Sequence, residues 1–153
     1  MSRTTGDIHD GAAAAEVVLA DIRESSLSLD EVLDAVRHPL AGGIATFIGV
    51  VRDHDHDRGV RALEYSAHPS APQVLRELSE RVGAAADVVA LAVLHRVGHL
   101  EVGDVAVVVA VSAVHRASAL AGCRELIDAV KAEVPVWKHQ LFEDGSDQWV
   151  GTP

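Results

Sequence analysis

Two valine-rich runs, at residues 88–94 (VVALAVL) and 104–113 (DVAVVVAVSA), constrain the fold more than any other feature of the chain. Neither run alternates apolar with polar residues, so neither suits a strand that has one face in water. We therefore expect two central strands in a sheet that is covered on both faces, either by other elements or by dimerisation. Each run is at most half the roughly 20 residues that a membrane-spanning helix needs, which predicts a soluble protein.

Helical periodicity marks three segments around these strands. Ser28 and Glu31 form a capping-box pattern at the start of a short first helix. Ser70 is predicted to cap a second helix. A third helix is predicted from about Arg116 to Glu133. Its expected apolar stripe consists of Leu120, Cys123, Ile127, Val130 and Val134.

Strand-like segments rich in β-branched and aromatic residues fill most of the remaining chain, with a polar DHDHDRG loop between two of them. The resulting order is typical of an α+β protein with mainly antiparallel pairing. We expect a single domain over residues 16–153, preceded by a poorly ordered tail at residues 1–15. The additional strands are predicted at residues 42–52, 60–67 and 134–142.

Charge and cysteine content narrow the function classes. The formal net charge is −10 and aromatic residues make up 3% of the chain, which argues against a polynucleotide partner. Cys123 is the single cysteine and cannot form an intrachain disulfide, which favours a cytoplasmic protein. Its place in the apolar stripe of the third helix favours packing over nucleophilic catalysis. The 13 basic residues include only two lysines, Lys131 and Lys138.

Histidines and carboxylates suggest a second kind of site. The segment DHDHD at residues 53–57 contains residue types that bind zinc and related metals. No cysteine or HExxH pattern supports it, and a flexible loop preorganises ligands poorly, so we favour a solvated polar loop. His95 and His99 flank a strand end, where a structural histidine is favoured over a catalytic base.

Cationic residues indicate an anion site. Arg116 follows a buried strand at a helix start, where free N–H groups and the helix dipole favour phosphate; an arginine that caps the sheet edge is the alternative. Lys131 lies at the rim of the third helix's apolar stripe, where partial desolvation lowers a lysine pKa. Lys138 lies on a strand that can fold back beside the helix end. Such lysines suit nucleophilic or proton-transfer chemistry, and two ordinary solvated lysines are the alternative.

Five segments, in this order and spacing, resemble the family of large, catalytic subunits of molybdopterin synthase: GGIATFIGVVRDH, LEY, LHRVGHLEVGD, VAVSAVHRASALAG and AVKAEVPVWKHQ. The similarity extends from about Gly42 to Trp149. It implies an α/β hammerhead-type fold, a homodimer, and a small ubiquitin-like sulfur carrier whose C-terminal Gly-Gly thiocarboxylate enters the active site. It also implies transfer of two sulfurs to cyclic pyranopterin monophosphate, forming the dithiolene of molybdopterin, with no metal or other cofactor.

The resemblance also implies roles for particular residues, with Lys131 and Lys138 as the catalytic pair. The substrate-contacting residues that it implies are Val50, Val51, Arg52, His115, Arg116, Lys131, Lys138, His139 and Gln140. Three positions depart from the family pattern: Val50 replaces a frequent lysine, Gln140 a common acidic residue, and Gln148 a usual arginine. Loss of these charges is expected to weaken or reshape phosphate binding.

Two other functions stay open at this point. A noncatalytic scaffold that only docks a ubiquitin-like partner would account for the three departures. A metal-dependent hydrolase would use the DHDHD segment. Turnover with a thiocarboxylated carrier separates the scaffold from a sulfurtransferase, and metal analysis of the purified protein tests the hydrolase.

Overall fold

The computed structural model describes residues 15–151, which form a mixed α+β arrangement of strands and helices. Pairing is antiparallel throughout the described sheets except between β1 and β5, so the predicted fold class is confirmed. The elements in chain order are β1 Glu16–Arg23, α1 Leu29–Val36, β2 Gly43–Val50, β3 His54–Asp55, β4 Arg58–Ala67, α2 Ala71–Ala85, β5 Ala90–Arg96, β6 Gly98–Glu101, β7 Val105–Ala113, α3 Arg116–Glu133, β8 Val136–Phe142 and β9 Asp147–Val150.

A four-stranded sheet with the order β1-β5-β7-β2 forms the centre of the protein. Side chains of β5 and β7 alternate between its two faces. On one face Leu91, Val93 and Val109 pack in a core with residues of α2 and α3. On the other face Ala92 and Val108 pack in a core with residues of α1. The valine-rich runs are therefore the central strands, and helices cover both of their faces.

A five-stranded sheet with the order β3-β4-β8-β9, in which β6 also pairs with β4, lies beside the first. The chain passes from β5 into β6 through Val97, which links the two sheets. Leu63 and Leu100 of this sheet form a smaller core with Val51 and Ala106. β8 begins shortly after α3 ends and pairs antiparallel with β4, which places Lys138 opposite Tyr65.

The predicted helix starts are correct, although one predicted cap is wrong. The Ser28 hydroxyl oxygen accepts from the Glu31 backbone N–H at 3.2 Å and caps α1. α3 has the predicted bounds. Ser70 precedes α2, but its hydroxyl hydrogen-bonds to the His68 ring and leaves the helix N–H groups without a side-chain cap.

The predicted apolar stripe of α3 is partly wrong. Cys123 is buried in the main core, where burial raises the pKa of its thiol, and this confirms the packing role. Leu120, however, is 63% exposed. The buried stripe includes Ala119 and Gly122, because only small residues let the helix lie this close to the sheet: a Cβ on Gly122 would be 2.7 Å from a Val88 methyl carbon.

Four local features differ from the sequence-based expectation. The strand predicted at residues 42–52 ends at Val50, and β3 with the start of β4 forms a hairpin within the predicted polar loop. β1, for which no pattern was recognised, pairs in parallel with β5. Ala15, the last residue of the predicted tail, packs against the main core, and residues 1–14 of that tail lie outside the described residues.

Within residues 15–151, no helix is both long and apolar enough to cross a membrane.

His95 is a buried polar residue near the end of β5. It is 3% exposed, and its Nδ1 lies 2.8 Å from the Arg96 carbonyl oxygen. The Tyr65 ring meets the imidazole edge-on, with ring centroids 5.1 Å apart. Burial, with a smaller contribution from the charge of Lys131, lowers the pKa of His95 from 6.5 to about 4, so the imidazole is neutral at pH 7.

We expect His95 to make the fold sensitive to acid. The unfolded chain binds a proton at His95 near pH 6.5, whereas the folded chain binds it only near pH 4. The contribution of neutral His95 to the free energy of unfolding is therefore fully present above pH 6.5. It declines as the pH falls through this window, by about 3 kcal/mol in total. Urea unfolding across the window measures the decline, and a His95→Asn variant should lack it. An equally steep decline in that variant would assign the acid sensitivity to other groups.

Candidate active site

A small cleft between the end of β2 and the middle of β8 collects several of the predicted site residues. Val50, Val51 and Arg52 line one side of it, and Lys138 and Gln140 line the other. Lys138 and Gln140 are two residues apart on β8, so both side chains lie on the same face of the strand. The structure thus brings two cations, Arg52 and Lys138, to one cleft.

Asp55 of the β3–β4 hairpin adds a carboxylate to this cleft. Its Oδ2 accepts from Gln140 Nε2 at 3.1 Å, and its Oδ1 lies 3.8 Å from a guanidinium nitrogen of Arg52. The hydrogen bond from Gln140 lowers the pKa of Asp55, and the charges of His56, Lys138 and Arg52 lower it further. The ionised carboxylate therefore offsets part of the positive charge in the cleft.

The hairpin turn explains how Asp55 reaches the cleft. His56 and Asp57 have φ values of 46° and 69°, the left-handed conformation that tight two-residue hairpin turns require. Both turn residues are exposed, as is His54, which agrees with the predicted solvated polar loop. Asp55, by contrast, is partly buried and directed toward the cleft. In the part of the chain that the structure describes, no three or more His, Cys, Asp or Glu side chains are grouped so that they could hold a metal ion.

Gln140 and Asp55 form a matched pair. Gln140 is 2% exposed, and its amide N–H group holds the Asp55 carboxylate. A carboxylate at position 140 would repel the Asp55 carboxylate at this distance. Gln140 therefore removes the negative charge that is common at position 140, while Asp55 of the hairpin supplies one to the same cleft. The Gln140 Oε1 atom is buried without a hydrogen-bond partner among residues 15–151.

Lys131 lies in the last turn of α3 and lines a second small cleft with Tyr65 and His95. Tyr65 pairs in register with Lys138 and lines both clefts, so the clefts of the two lysines share this residue. Lys131 is exposed to solvent, yet the protein packed around its amine lowers its pKa, and the charge of Lys138 lowers it further. Within the described residues neither lysine forms an ion pair.

His115 and Arg116 lie far from these clefts within one chain. Arg116 begins α3 beside Gly43, at the start of β2, whereas the first cleft lies at the Val50 end. The 50 − 43 = 7 residue steps of β2 span about 23 Å. From Arg116 to Lys131 the helix rises over 131 − 116 = 15 steps, about 22 Å. Both His115 and Arg116 are exposed, so they are free to meet another molecule.

His139 is also separated from the clefts, although it follows Lys138 directly. Its ring stacks on Trp149 with centroids 4.3 Å apart, and its Nε2 lies 2.6 Å from Asp147 Oδ2. Alternation along β8 puts it on the face opposite Lys138. Gln148, the third departure from the family pattern, is exposed on β9 and pairs in register with Gln140.

Sequence reasoning did not assign Asp55, Tyr65 or His95 to the site. Tyr65 belongs to the LEY segment, and His95 is a lone histidine at the end of a strand that is otherwise apolar, so each carried a signal that a residue-by-residue search could have found. Asp55 carried none, because only the left-handed turn distinguishes it from its two neighbouring aspartates.

Comparisons with known proteins place the chain in a family. Residues 22–133 match the sequence profile of the family described as MoaE protein. The chain is 44% identical over 133 residues to molybdopterin synthase catalytic subunit 1 of Mycobacterium tuberculosis, a match that covers 85% of this chain and 88% of that protein. The chain belongs to the MoaE family. It is also 40% identical over 131 residues to the molybdopterin synthase catalytic subunit of Halalkalibacterium halodurans, covering 85% of this chain and 83% of that protein.

The solved structures agree with MoaE membership. The X-ray structure of molybdopterin synthase from Staphylococcus aureus matches this fold with a TM-score of 0.80 and 27% identity, over 87% of this chain and 97% of that one. The resemblance drawn from the five segments is therefore confirmed.

We expect Lys131 to react as an unusually acidic amine. In a Lys138→Arg variant it is the only lysine, so labelling of its side chain can be followed without ambiguity. Because only the neutral amine reacts, the lowered pKa should shift the labelling midpoint below the ordinary lysine value of 10.5. Reductive methylation across a pH series, followed by peptide mass spectrometry, gives the midpoint. A midpoint at or above that of free Nα-acetyl-lysine would contradict the expectation.

Proposed function

We propose that this MoaE-family chain is the catalytic subunit of a cytoplasmic molybdopterin synthase. It transfers sulfur from the C-terminal thiocarboxylate of a small ubiquitin-like carrier to cyclic pyranopterin monophosphate, and so forms the dithiolene of molybdopterin. The observation that carries the proposal is the position of Lys131 and Lys138 on either side of Tyr65, with Arg52 in the cleft of Lys138. The names of the relatives, each a catalytic subunit, support both the activity and a partner subunit.

The charges in the clefts suit two anionic reactants. A thiocarboxylate and a cyclic phosphate both need cations in a chain whose net charge is −10, and Arg52 and Lys138 supply them locally. The guanidinium fork of Arg52 matches a phosphate or carboxylate group, and Lys138 stabilises the charge that develops as sulfur attacks the pterin side chain. Lys131, with its lowered pKa, suits proton transfer or transient acceptance of the carrier's acyl group.

A homodimer would complete this site. β2 is an edge strand of the central sheet, and its side chains Ile44, Phe47, Ile48 and Val50 are all exposed. An edge with exposed apolar side chains favours pairing with a second copy, and a dimer of this kind has two-fold symmetry. Two antiparallel β2 strands related in this way would place the Val50 end of one beside the Gly43 end of the other.

This arrangement accounts for the separation of the predicted site residues within one chain. Arg116 starts its helix beside Gly43, so pairing through β2 would bring the partner subunit's Arg116 toward the cleft that contains Arg52 and Lys138. The exposed His115 and the helix N-terminus would then meet the substrate's phosphate from the partner's side. Exposed Leu120, one turn further along α3, would be covered by the same contact.

Loss of either lysine should abolish most turnover while the fold is kept. We expect Lys131→Ala and Lys138→Ala each to slow dithiolene formation on the order of 100-fold or more, as when one positioned charge-stabilising donor is removed. A single-turnover assay with thiocarboxylated carrier measures this, and the carrier should still bind. Arg124→Ala is a matched control, because Arg124 is an exposed cation on the same helix that pairs only with exposed Asp128. Full turnover in both lysine variants would contradict the roles given to Lys131 and Lys138, whereas absence of turnover in the wild-type chain would support the noncatalytic scaffold instead.

Mixing two inactive variants tests whether the site spans the dimer. Arg116→Ala and Lys138→Ala subunits damage different halves, so a mixed dimer keeps one site with an intact Lys138 and the partner's intact Arg116. If subunits mix at random, half the dimers are mixed and each has one of two sites, which predicts recovery to about a quarter of wild-type activity. Activity is compared before and after refolding the variants together. If a verified mixed dimer recovers no activity, Arg116 and Lys138 do not act together in a site that spans two subunits.

A further inference from the structure

The His95 imidazole has one nitrogen whose role the fold does not explain. Its Nδ1 lies 2.8 Å from the Arg96 carbonyl oxygen, and a carbonyl oxygen can only accept, so Nδ1 carries the proton. Because the ring is neutral at pH 7, Nε2 then has a free lone pair. Within residues 15–151 the Nε2 atom forms no hydrogen bond. It is not completely buried, so another group can reach it.

The cleft beside this nitrogen contains one cation. Lys131 lines it with His95 and Tyr65, and the remaining lining residues, Val130, Val134 and Val136, are apolar. Lys131 is exposed to solvent at this cleft, and among the lining side chains only those of His95 and Tyr65 can accept a hydrogen bond from its ammonium group. The charge of Lys131 also contributes to the lowered pKa of His95, which shows that the two groups are within electrostatic range.

Tyr65 fixes the orientation of the imidazole. Its ring lies at 88° to the His95 ring, an edge-to-face contact that, together with the Nδ1 hydrogen bond, leaves the imidazole no alternative plane. The same Tyr65 separates this cleft from the one that contains Lys138. The two lysines therefore line clefts that share Tyr65, and a side chain that holds Lys131 would set the spacing of their amines.

We propose that His95 is a positioning residue for Lys131: its Nε2 accepts a hydrogen bond from the Lys131 amine and holds that amine toward the cleft. The inference rests on the proposed function, since it assigns His95 a role only through Lys131. An imidazole that is neutral at pH 7 suits this task, because a second positive charge beside Lys131 would repel it. His95 itself touches neither carrier nor pterin.

Two amide variants, each of which replaces one nitrogen of the imidazole, separate positioning from packing. In His95→Asn the amide nitrogen replaces Nδ1, so the bond to the Arg96 carbonyl is kept and the Nε2 acceptor is lost. In His95→Gln the amide oxygen can occupy the Nε2 position, so the acceptor is kept and the bond to the carbonyl is lost. We expect single-turnover sulfur transfer to be about 10- to 100-fold slower in the Asn variant, the equivalent of one hydrogen bond to a charged group. The Gln variant should recover most of the rate.

Thermal unfolding gives the control for a purely structural role. Packing alone would make activity follow stability, with the Asn variant as active as the wild type because it keeps the buried hydrogen bond. Equal activity of the Asn variant and the wild type, or lower activity of Gln than of Asn, would overturn the proposal. The wild-type chain offers a test that needs no folded variant: nitrogen NMR of labelled histidine should show Nε2 without a proton at pH 7, and a protonated Nε2 would also overturn it.

The proposed function and this inference fail in different ways. Full activity of Lys131→Ala would remove the function assigned to Lys131 and the reason for positioning it. An inactive Lys131→Ala variant together with a fully active His95→Asn variant would leave the sulfurtransferase proposal intact and remove only the role of His95.

Discussion

Burial of both faces of β5 and β7 is the constraint on which the rest of the structure depends. Helix α1 covers one face, and α2 with α3 covers the other, so the position of each helix follows from the side chains it must place against the sheet. Leu126 of α3 is completely buried, and burial of one such side chain is worth about 2 kcal/mol. Anchored in this way, α3 carries Lys131 on its last turn to the junction of the two sheets.

The same constraint holds two like charges near one another. The charge of Lys138 contributes to the lowered pKa of Lys131, an arrangement that would relax if either were on a mobile segment. One is attached to a helix packed on the core and the other to a strand paired over most of its length with β4. Asp55 and Gln140 moderate the charge on the Lys138 side, so an acidic protein keeps a small region that attracts anions.

Local patterns in the sequence were sufficient for elements whose signals are local. The capping box at Ser28 and the bounds of α3 were predictable because they depend on residues three or four positions apart. Leu120 was assigned to the core because spacing alone cannot show that small residues carry the close contact with the sheet. β1 was missed because its pairing partner β5 is about 70 residues away in the chain, where only the tertiary fold brings them together.

By itself the sequence determined the composition of the candidate site, in the segments that carry Arg52, Arg116, Lys131 and Lys138, and the class of fold that holds them. Only the tertiary structure decided which of these residues share a cleft. Arg52 and Lys138 meet because β8 returns along β4, whereas Arg116 is held about 20 Å away by the lengths of β2 and α3. It also decided that Asp55, Tyr65 and His95 surround the lysines, because side-chain neighbours across sheets depend on register and burial, which no spacing along the chain encodes.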